Sequence, residues 1–201
     1  CGVCRTDLHL ADGDLPLPRS PLVPGHEIVG RVVAAGPGAR RFGIGDRVGV
    51  PWLGGTCGHC RDCTAGRENL CDEGGSTGSH PEGGSARHAL ADGGFCLASP
   101  PAYADAHAAP LLCAGLIGYR AYAMAPGAAR LGLYGFGAAA HLIAQVAVAD
   151  GREVFAFTRP GDARSQAFAR RLGCAWAGDS NAVPPAPLDA ALLFAPVGSL
   201  V

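Results

Sequence analysis

The chain has 201 residues, of which 48% are hydrophobic and 16% are charged, and its formal net charge at pH 7 is −1. This composition is typical of a globular protein and excludes an intrinsically disordered chain. The near-zero charge argues against a groove for nucleic acid and against an anionic membrane surface as a partner. The uncharged run 131–149 is long enough for a membrane span, but glycines, His141 and Gln145 inside it favour a strand, a turn and a helix. We therefore expect neither nucleic acid nor membrane as a partner.

Cysteine usage is informative about both metal binding and location. The chain has nine cysteines, and their odd number argues against a framework made only of disulfides. Four of them cluster between positions 57 and 71, which favours metal binding in a reducing compartment. We therefore expect a cytoplasmic protein.

Residues 1–50 are predicted to form short β-strands joined by tight turns. Glycine and proline recur between β-branched runs, which include Ile28-Val29, Arg31-Val32-Val33 and Arg47-Val48-Gly49-Val50. Short runs separated by turn residues are typical of an all-β domain. Further along the chain, Ala86–Ala91 and Phe95–Ala98 are predicted to form another pair of strands.

The loop 52–84 is rich in glycine and cysteine and carries the most specific motif of the chain. Its cysteines are spaced Cys57-x-x-Cys60-x-x-Cys63-x7-Cys71. Four thiolates complete the tetrahedral coordination of zinc and leave no open position, so we predict a structural zinc site in a lobe at 52–75. Disulfides or an iron–sulfur cluster are the alternatives. A loop of this length without its own core needs such a cross-link.

From residue 102 onwards the sequence predicts helices and then alternating strands and helices. Two alanine- and leucine-rich helices are predicted at Ala102–Ala109 and Leu111–Ala123, and Pro126-Gly127 marks a boundary. The later strands are predicted at Leu131–Tyr134, Val154–Thr158, Cys174–Ala177 and Ala190–Phe194, and the later helices at Ala138–Ala149 and Asp162–Leu172. This order predicts the first half of a doubly wound parallel sheet.

The first of these strands leads into the glycine motif Gly135-Phe136-Gly137-Ala138-Ala139-Ala140, which opens a helix. Gly135 permits the turn, Gly137 lets the backbone approach a pyrophosphate, and Ala140 takes the place of a third glycine at the contact between helix and strand. The N–H groups at the helix N-terminus would bind the phosphates. The motif predicts a dinucleotide-binding site.

Four stretches of the chain occur in the order used by zinc-dependent alcohol dehydrogenases of the medium-chain dehydrogenase/reductase family. They are Cys1-Gly2-Val3-Cys4-Arg5-Thr6-Asp7-Leu8-His9, Gly25-His26-Glu27, Leu112-Cys113-Ala114-Gly115 and the glycine motif. The chain resembles this family from end to end, and Gly43-Ile44-Gly45-Asp46-Arg47-Val48 resembles the turn and strand of its GroES-like barrel. The resemblance implies a fold of the α/β plus all-β class.

The domains implied by the resemblance are a GroES-like β-barrel catalytic domain at 1–124 and an NAD(P)-binding Rossmann domain at 125–201. The chain starts without Met and directly on a catalytic motif, and it carries only the first half of the doubly wound sheet. We therefore expect both domains to be truncated, the first at its N-terminus and the second at its C-terminus.

The resemblance also implies a catalytic zinc held by Cys4, His26 and Cys113, with the fourth position open to water or to a substrate oxygen. Asp7 matches the carboxylate that accepts a hydrogen bond from the liganding imidazole. Glu27 matches a transient ligand or a nearby charge that helps to exchange the fourth ligand. A buried apolar thiol at Cys113 and surface carboxylates at Asp7 and Glu27 are the alternatives.

Proton and phosphate handling would fall to residues beside Cys4. In relatives, positions matching Thr6 and His9 pass the alcohol proton to solvent through the cofactor ribose, and the position matching Arg5 pairs with the pyrophosphate. The alternative for Thr6 and His9 is the capping of a turn. Trp52 matches a large side chain that lines the alcohol pocket, with ordinary packing as its alternative.

The choice between NAD and NADP is read at the end of the second Rossmann strand, where the sequence is Phe157-Thr158-Arg159. A carboxylate at this point would hold the NAD ribose, whereas an arginine can pair with a 2′-phosphate. We therefore expect Thr158 and Arg159 to contact the cofactor and NADP to be favoured over NAD. Stacking of Arg159 on the adenine of NAD is the alternative.

The implied reaction is oxidation of a primary or secondary alcohol to an aldehyde or ketone, with hydride transfer to NAD(P). It implies two zinc ions, one catalytic and one structural, a small-molecule substrate and a homo-oligomeric parent enzyme. We expect little turnover from these 201 residues alone. Two alternatives remain open: a quinone or enone reductase of the same fold without catalytic zinc, and a non-catalytic module that is cross-linked by zinc.

Overall fold

The computed structural model describes residues 1–16 and 20–200. The described residues fall into two compact units, one that ends at Cys113 and one that begins at Ala114. The strands of the first unit are β1 (Ile28–Arg31), β2 (Arg47–Val50), β3 (Leu53–Gly55), β4 (Gly75–Ser76) and β5 (Leu97–Ala98). Its helices are α1 (Arg5–Asp12), α2 (Arg61–Thr64) and α3 (Asp105–Ala108), with 3-10 turns at Glu68–Leu70 and Ala109–Leu112. The order β1-β2-β5 is antiparallel, and β3 pairs with β4.

The core of the first unit is small. Val48, Val50 and Cys96 are buried, and Ile28 and Phe42 pack against them. The strands β1 and β2 lie where alternating β-branched residues predict them, because one face of each can be buried against this cluster.

Helix α1 lies in a region that we predicted to be all-β, so that part of the prediction was wrong. Cys4 is its N-cap: the Cys4 Sγ accepts a hydrogen bond from the Thr6 N–H at 3.3 Å, and the Asp7 carboxylate accepts one from the Cys4 N–H at 2.8 Å. Gly13 ends the helix with φ of 79°. Cysteine is not among the usual N-cap residues, which is why the helix start was missed.

The predicted strand at Ala86–Ala91 was also wrong. These residues are irregular and exposed, so they have no apolar face to bury in a sheet. Of its predicted partner, only Leu97–Ala98 is extended, and it pairs with Val48 and Gly49 of β2.

The second unit contains a parallel sheet, as predicted. Its strands are β6 (Arg130–Tyr134), β7 (Glu153–Thr158), β8 (Trp176–Asp179) and β9 (Ala190–Leu193), and its helices are α4 (Ala114–Ala123), α5 (Ala138–Ala149) and α6 (Ala163–Arg171). The strand order is β8-β7-β6-β9, so the first strand of the unit lies inside the sheet. Leu131, Leu133, Ile143, Val154 and Phe157 are fully buried in its core.

The run 131–149 forms β6, a turn and α5, as the glycines within it indicate. Within the described residues, no helix is long and apolar enough to cross a membrane.

The two units divide after Cys113, whereas we predicted a boundary near residue 124. The predicted helix Leu111–Ala123 is broken at Cys113, where φ is −129° and ψ is −77°. The part that follows, α4, packs on α5 of the second unit. Gly118 permits this approach, because an added Cβ would lie only 2.7 Å from Cγ1 of Ile143.

Candidate metal and cofactor sites

The lobe that contains β3, α2 and β4 brings together Cys57, Cys60, Cys63 and Cys71, with all four sulfur atoms within 4.8 Å of one another. The Cys57 Sγ lies 3.9 Å from the Cys63 Sγ and 3.6 Å from the Cys71 Sγ. A zinc–sulfur bond of about 2.3 Å in a tetrahedron sets neighbouring sulfurs about 3.8 Å apart, so these spacings fit zinc. They are too long for disulfide bonds, which join sulfurs at about 2.05 Å.

Backbone N–H groups surround the sulfurs of this cluster. The amides of Cys57, Cys60 and Cys63 donate to the sulfurs of Cys71, Cys57 and Cys60, respectively, at 3.4–3.5 Å. Hydrogen bonds from the backbone of His59 and Cys60 lower the pKa of the Cys57 thiol to about 6. Amides directed at sulfur stabilise the thiolate, which is the form that binds metal.

A second cluster in the first unit is formed by Cys4, His26, Glu27 and Cys113, whose ligand atoms also lie within 4.8 Å of one another. The Cys4 Sγ lies 3.1 Å from the Nε2 of His26. Cys4 is the N-cap of α1, and His26 and Glu27 directly precede β1. Cys113 ends the 3-10 turn after α3, and the preceding Leu112 carbonyl accepts a hydrogen bond from the Trp52 N–H at 3.3 Å. The structure thus assembles residues from distant parts of the chain, in a set that offers two sulfurs, one nitrogen and one carboxylate.

Asp7 is buried between the parts of this second cluster. Its Oδ2 accepts from the Cys4 N–H at 2.8 Å, and its Oδ1 accepts from the Gly25 N–H at 3.0 Å. The same Oδ1 lies 3.3 Å from the Nδ1 of His26. The hydrogen bond with Cys4 raises the pKa of His26, so without a metal the Nε2 shares a proton with the Cys4 thiolate. In neutral His26 with its proton on Nδ1 facing Asp7, the Nε2 would offer a lone pair to a metal beside Cys4.

The pKa shifts in the second cluster show an excess of acidic groups. A hydrogen bond from Cys113 lowers the pKa of Cys4 to about 3, and bonds from His26 and Thr6 act in the same direction. The same contact raises the pKa of Cys113. Burial, followed by the charge of Cys4, raises the pKa of Glu27. Because the Cys4 thiolate raises the pKa of both Cys113 and Glu27, one divalent cation would stabilise the three anions together.

The other predicted residues of α1 lie at its surface. Arg5 and Thr6 are exposed, and the Thr6 N–H donates to the Cys4 Sγ. His9 is partly exposed, and its Nδ1 lies 2.8 Å from the Oδ2 of Asp14. We did not predict a role for Asp14, because it reaches His9 only through the left-handed turn at Gly13.

The glycine motif has the local geometry expected of a dinucleotide-binding turn. Gly135 has φ of 86°, and an added Cβ would lie 2.7 Å from the backbone nitrogen of Ala195. Gly137 is the N-cap of α5 with φ of −98°, and no described atom lies within 4 Å of an added Cβ. Ala140 is fully buried. The first glycine is therefore needed for the turn and its packing, while the second leaves open space beside the helix N-terminus.

At the end of β7 the two predicted cofactor residues differ in exposure. Arg159 is exposed, but Thr158 is 2% exposed, and its hydroxyl donates towards the carbonyls of Arg159 and Gly178. The Gln166 side-chain amide donates to the Thr158 hydroxyl and to Asp179 Oδ1. The Thr158 hydroxyl is thus turned into the protein, and the contact of Thr158 with the cofactor stays a prediction.

Known proteins are similar to this chain over its whole length. Residues 1–101 match the family model of the alcohol dehydrogenase GroES-like domain. The chain is 50% identical to a probable alcohol dehydrogenase of Mycobacterium tuberculosis, covering 100% of this chain and 60% of that protein. It spans roughly half the length of other curated relatives that it matches.

Solved structures with both parts of this fold are also similar. A cinnamyl alcohol dehydrogenase from Sorghum bicolor is 34% identical with a TM-score of 0.80, covering 90% of this chain and 54% of that one. A structure from Helicobacter pylori described as a CAD complexed with NADP(H) is 27% identical with a TM-score of 0.87, covering 97% of this chain and 59% of that one.

Proposed function

This chain belongs to the medium-chain, zinc-type alcohol dehydrogenase family with a GroES-like domain, and we propose that it forms the part of such an enzyme that oxidises an alcohol with NAD(P). One observation carries the proposal: the Cys4 Sγ, the His26 Nε2 and the Cys113 Sγ converge from separate segments into one partly buried cluster. Two sulfurs and one nitrogen leave the fourth position of a tetrahedral site open, which is the arrangement of a catalytic zinc.

We assign two zinc ions to the chain. Cys57, Cys60, Cys63 and Cys71 would hold a structural ion, and Cys4, His26 and Cys113 a catalytic one, with Glu27 beside it as a transient ligand or nearby charge. A zinc ion in the second site supplies Lewis acidity, which lowers the pKa of an alcohol hydroxyl.

Around that site the chain supplies orientation and a path for the proton. The Asp7 carboxylate, which faces the Nδ1 of His26, would hold a proton there and direct the Nε2 towards the metal. Thr6, beside Cys4, would accept the proton of the substrate hydroxyl, and His9 would pass it towards solvent. An Nδ1 proton on His9, donated to Asp14, leaves the Nε2 of His9 available for this transfer.

The cofactor would lie on the glycine motif of the second unit. The open space at Gly137 and the N–H groups at the start of α5 suit a pyrophosphate. Ala140 packs the helix closely on the sheet. Because Arg159 is exposed and the Thr158 hydroxyl faces inward, Arg159 carries the proposed preference for NADP, and Thr158 would contribute only through its backbone.

The test of the metal sites is the zinc content of the purified chain and of two variants. We expect two zinc ions per chain in the parent, loss of one in Cys57→Ser and loss of the other in Cys4→Ser. A parent chain that binds one zinc ion and loses it only in Cys57→Ser would contradict the catalytic site. That result would favour the non-catalytic module that is cross-linked by zinc.

The proposed NADP preference has a separate test. We expect Arg159→Asp to weaken binding of 2′,5′-ADP by about tenfold or more relative to 5′-ADP, since a charged hydrogen bond to phosphate contributes roughly 1.5–3 kcal/mol. Isothermal titration calorimetry would measure both affinities. Arg87→Asp makes the same charge change at an exposed position of the first unit and serves as the control. Unchanged discrimination in Arg159→Asp would reject the assignment.

We further propose a cytoplasmic, homo-oligomeric parent enzyme that acts on a small primary or secondary alcohol. Six of the nine cysteines are proposed zinc ligands, which must stay reduced to bind metal, and this requirement supports a reducing compartment.

A further inference from the structure

We propose that a junction of four glycines, Gly25, Gly78, Gly83 and Gly84, positions His26 for metal binding. These glycines are positioning residues, since they act through the backbone of His26 and supply no ligand atom themselves. The inference rests on the proposed function, because it requires a metal at Cys4, His26 and Cys113.

The junction is held by backbone hydrogen bonds between the segments 23–25 and 82–85. The Gly83 N–H donates to the Val23 carbonyl at 2.7 Å, the Gly84 N–H to the Gly25 carbonyl at 2.9 Å, and the Ser85 N–H to the Pro24 carbonyl at 3.0 Å. In return, the Val23 N–H donates to a carboxylate oxygen of Glu82 at 2.7 Å. The segment that leads into His26 is thus paired along its length.

The approach of these segments is closer than any side chain would allow. An added Cβ at Gly83 would lie 2.3 Å from the Pro24 carbonyl oxygen and 2.4 Å from that of Gly25. At Gly78 it would lie 2.9 Å from the backbone nitrogen and oxygen of Gly25. Gly25 itself has φ of 103°, and its own added Cβ would lie 2.8 Å from the Ser85 Oγ. Three backbones therefore meet at Gly25, the residue before His26.

Gly25 also connects the junction to the metal cluster. Its N–H donates to Asp7 Oδ1 at 3.0 Å, the oxygen that lies 3.3 Å from the Nδ1 of His26. A methyl group at Gly83 would have to displace the 24–25 backbone by about 1 Å to reach an ordinary contact distance. Metal–ligand distances tolerate only about 0.2 Å, so His26 would no longer meet the same metal position as Cys4 and Cys113.

Gly83 and Gly84 differ in what obstructs a side chain, and this difference makes the proposal testable. The obstacle at Gly83 is backbone, which no second substitution removes. At Gly84 an added Cβ would lie 2.3 Å from Cγ1 and 2.7 Å from Cδ1 of Ile28, and only 3.2 Å from its Cβ. Truncation of Ile28 to alanine would therefore remove the two closest contacts of Gly84→Ala and leave the 3.2 Å contact with the Ile28 Cβ, which needs a shift of only a few tenths of an ångström.

The experiment is zinc titration of the metal-stripped chain, followed by alkylation and mass spectrometry to identify which cysteines the metal protects. In Gly83→Ala we expect protection of Cys4 and Cys113 to need at least about tenfold more zinc than in the parent, the size of effect seen when supporting groups of a metal site are lost. Protection of Cys57, Cys60, Cys63 and Cys71 should be unchanged. Gly93→Ala is the control, because no described atom lies within 4 Å of its added Cβ.

A general loss of folding would weaken zinc binding at both sites. Loss of a positioning residue would weaken zinc binding only at the Cys4–His26–Cys113 site. If Gly83→Ala proves unstable, Gly84→Ala should show the same selective loss, and Gly84→Ala with Ile28→Ala should recover the zinc dependence of Ile28→Ala alone. Equal zinc dependence of Gly83→Ala and the parent, or no recovery in the double variant, would overturn the inference. Protection of only the four-cysteine set in the parent would instead overturn the proposed catalytic site, and the inference with it.

Discussion

Asp7 is the side chain on which the orientation of both Cys4 and His26 depends. It is 8% exposed, accepts hydrogen bonds from the Cys4 and Gly25 amides, and faces the Nδ1 of His26. Removing it would leave these groups unpaired and the imidazole free to rotate. The carboxylate therefore supports two of the three proposed metal ligands.

We predict that Asp7→Ala lowers the zinc affinity of the Cys4–His26–Cys113 site by about 10–100-fold, as expected for loss of a group that orients a liganding histidine. Competition with a chelating dye would measure the affinity. Asp12→Ala, at an exposed position of the same helix, is the matched control. Equal affinities of the two variants would show that Asp7 does not support the site.

At the scale of elements, the turn from β6 into α5 contains two glycines with different roles, one in the stability of the turn and one in the proposed cofactor binding. Gly135 has a positive φ and is packed against the Ala195 backbone, whereas the space next to Gly137 is open. A methyl group at the first position would strain the turn, while at the second it would occupy space that the proposed pyrophosphate needs.

We predict that Gly135→Ala lowers the melting temperature of the second unit, since a left-handed conformation costs a residue with a Cβ about 1–2 kcal/mol before any clash is counted. Gly137→Ala should leave the melting temperature within a few degrees of the parent and weaken NADP binding. Thermal melts followed by circular dichroism and calorimetric titration of NADP would measure the two effects. If Gly135→Ala bound NADP more weakly but kept the melting temperature of the parent, these assignments would be wrong.

At the scale of the whole chain, the two units have very different apolar cores. The first has a small cluster around Val48, Val50 and Cys96, together with the long loop 52–84. The second buries Leu131, Leu133, Ile143 and Val154 between its sheet and helices. We therefore expect burial of apolar surface to stabilise the second unit more than the first, and the first unit to depend more on its proposed metal sites.

We predict that chelation of zinc lowers the melting temperature of the first unit and leaves that of the second within experimental error. Leu131→Ala should do the opposite, destabilising the second unit by about 2–5 kcal/mol through the cavity that it leaves. Hydrogen exchange with mass spectrometry would follow each unit separately. If the backbone amides of the first unit exchanged equally slowly before and after chelation, a stabilising role for the metal would be contradicted.

Much of the architecture was predictable because it depends on short-range patterns. Strands β1 and β2, helix α5 and the parallel order of the second unit follow from local periodicity and from turn residues such as Gly135. The four-cysteine lobe was predictable for the same reason, since its ligands lie within one loop at fixed spacing. The second metal cluster needed the family resemblance, because its members are far apart in the sequence and each is unremarkable alone.

Other features depend on the tertiary structure, because they arise from contacts between segments that are distant in sequence or from an unusual helix cap. The local sequence does not predict four of these features. They are Cys4 as an N-cap, Asp14 beside His9, the inward Thr158 hydroxyl and the close packing of Gly83 on Pro24. The exposed Ala86–Ala91 segment shows the same limit, because a strand forms only where a partner strand and a buried face are available. The sequence by itself determined which groups could do chemistry, and the packing of backbone against backbone decided where they meet.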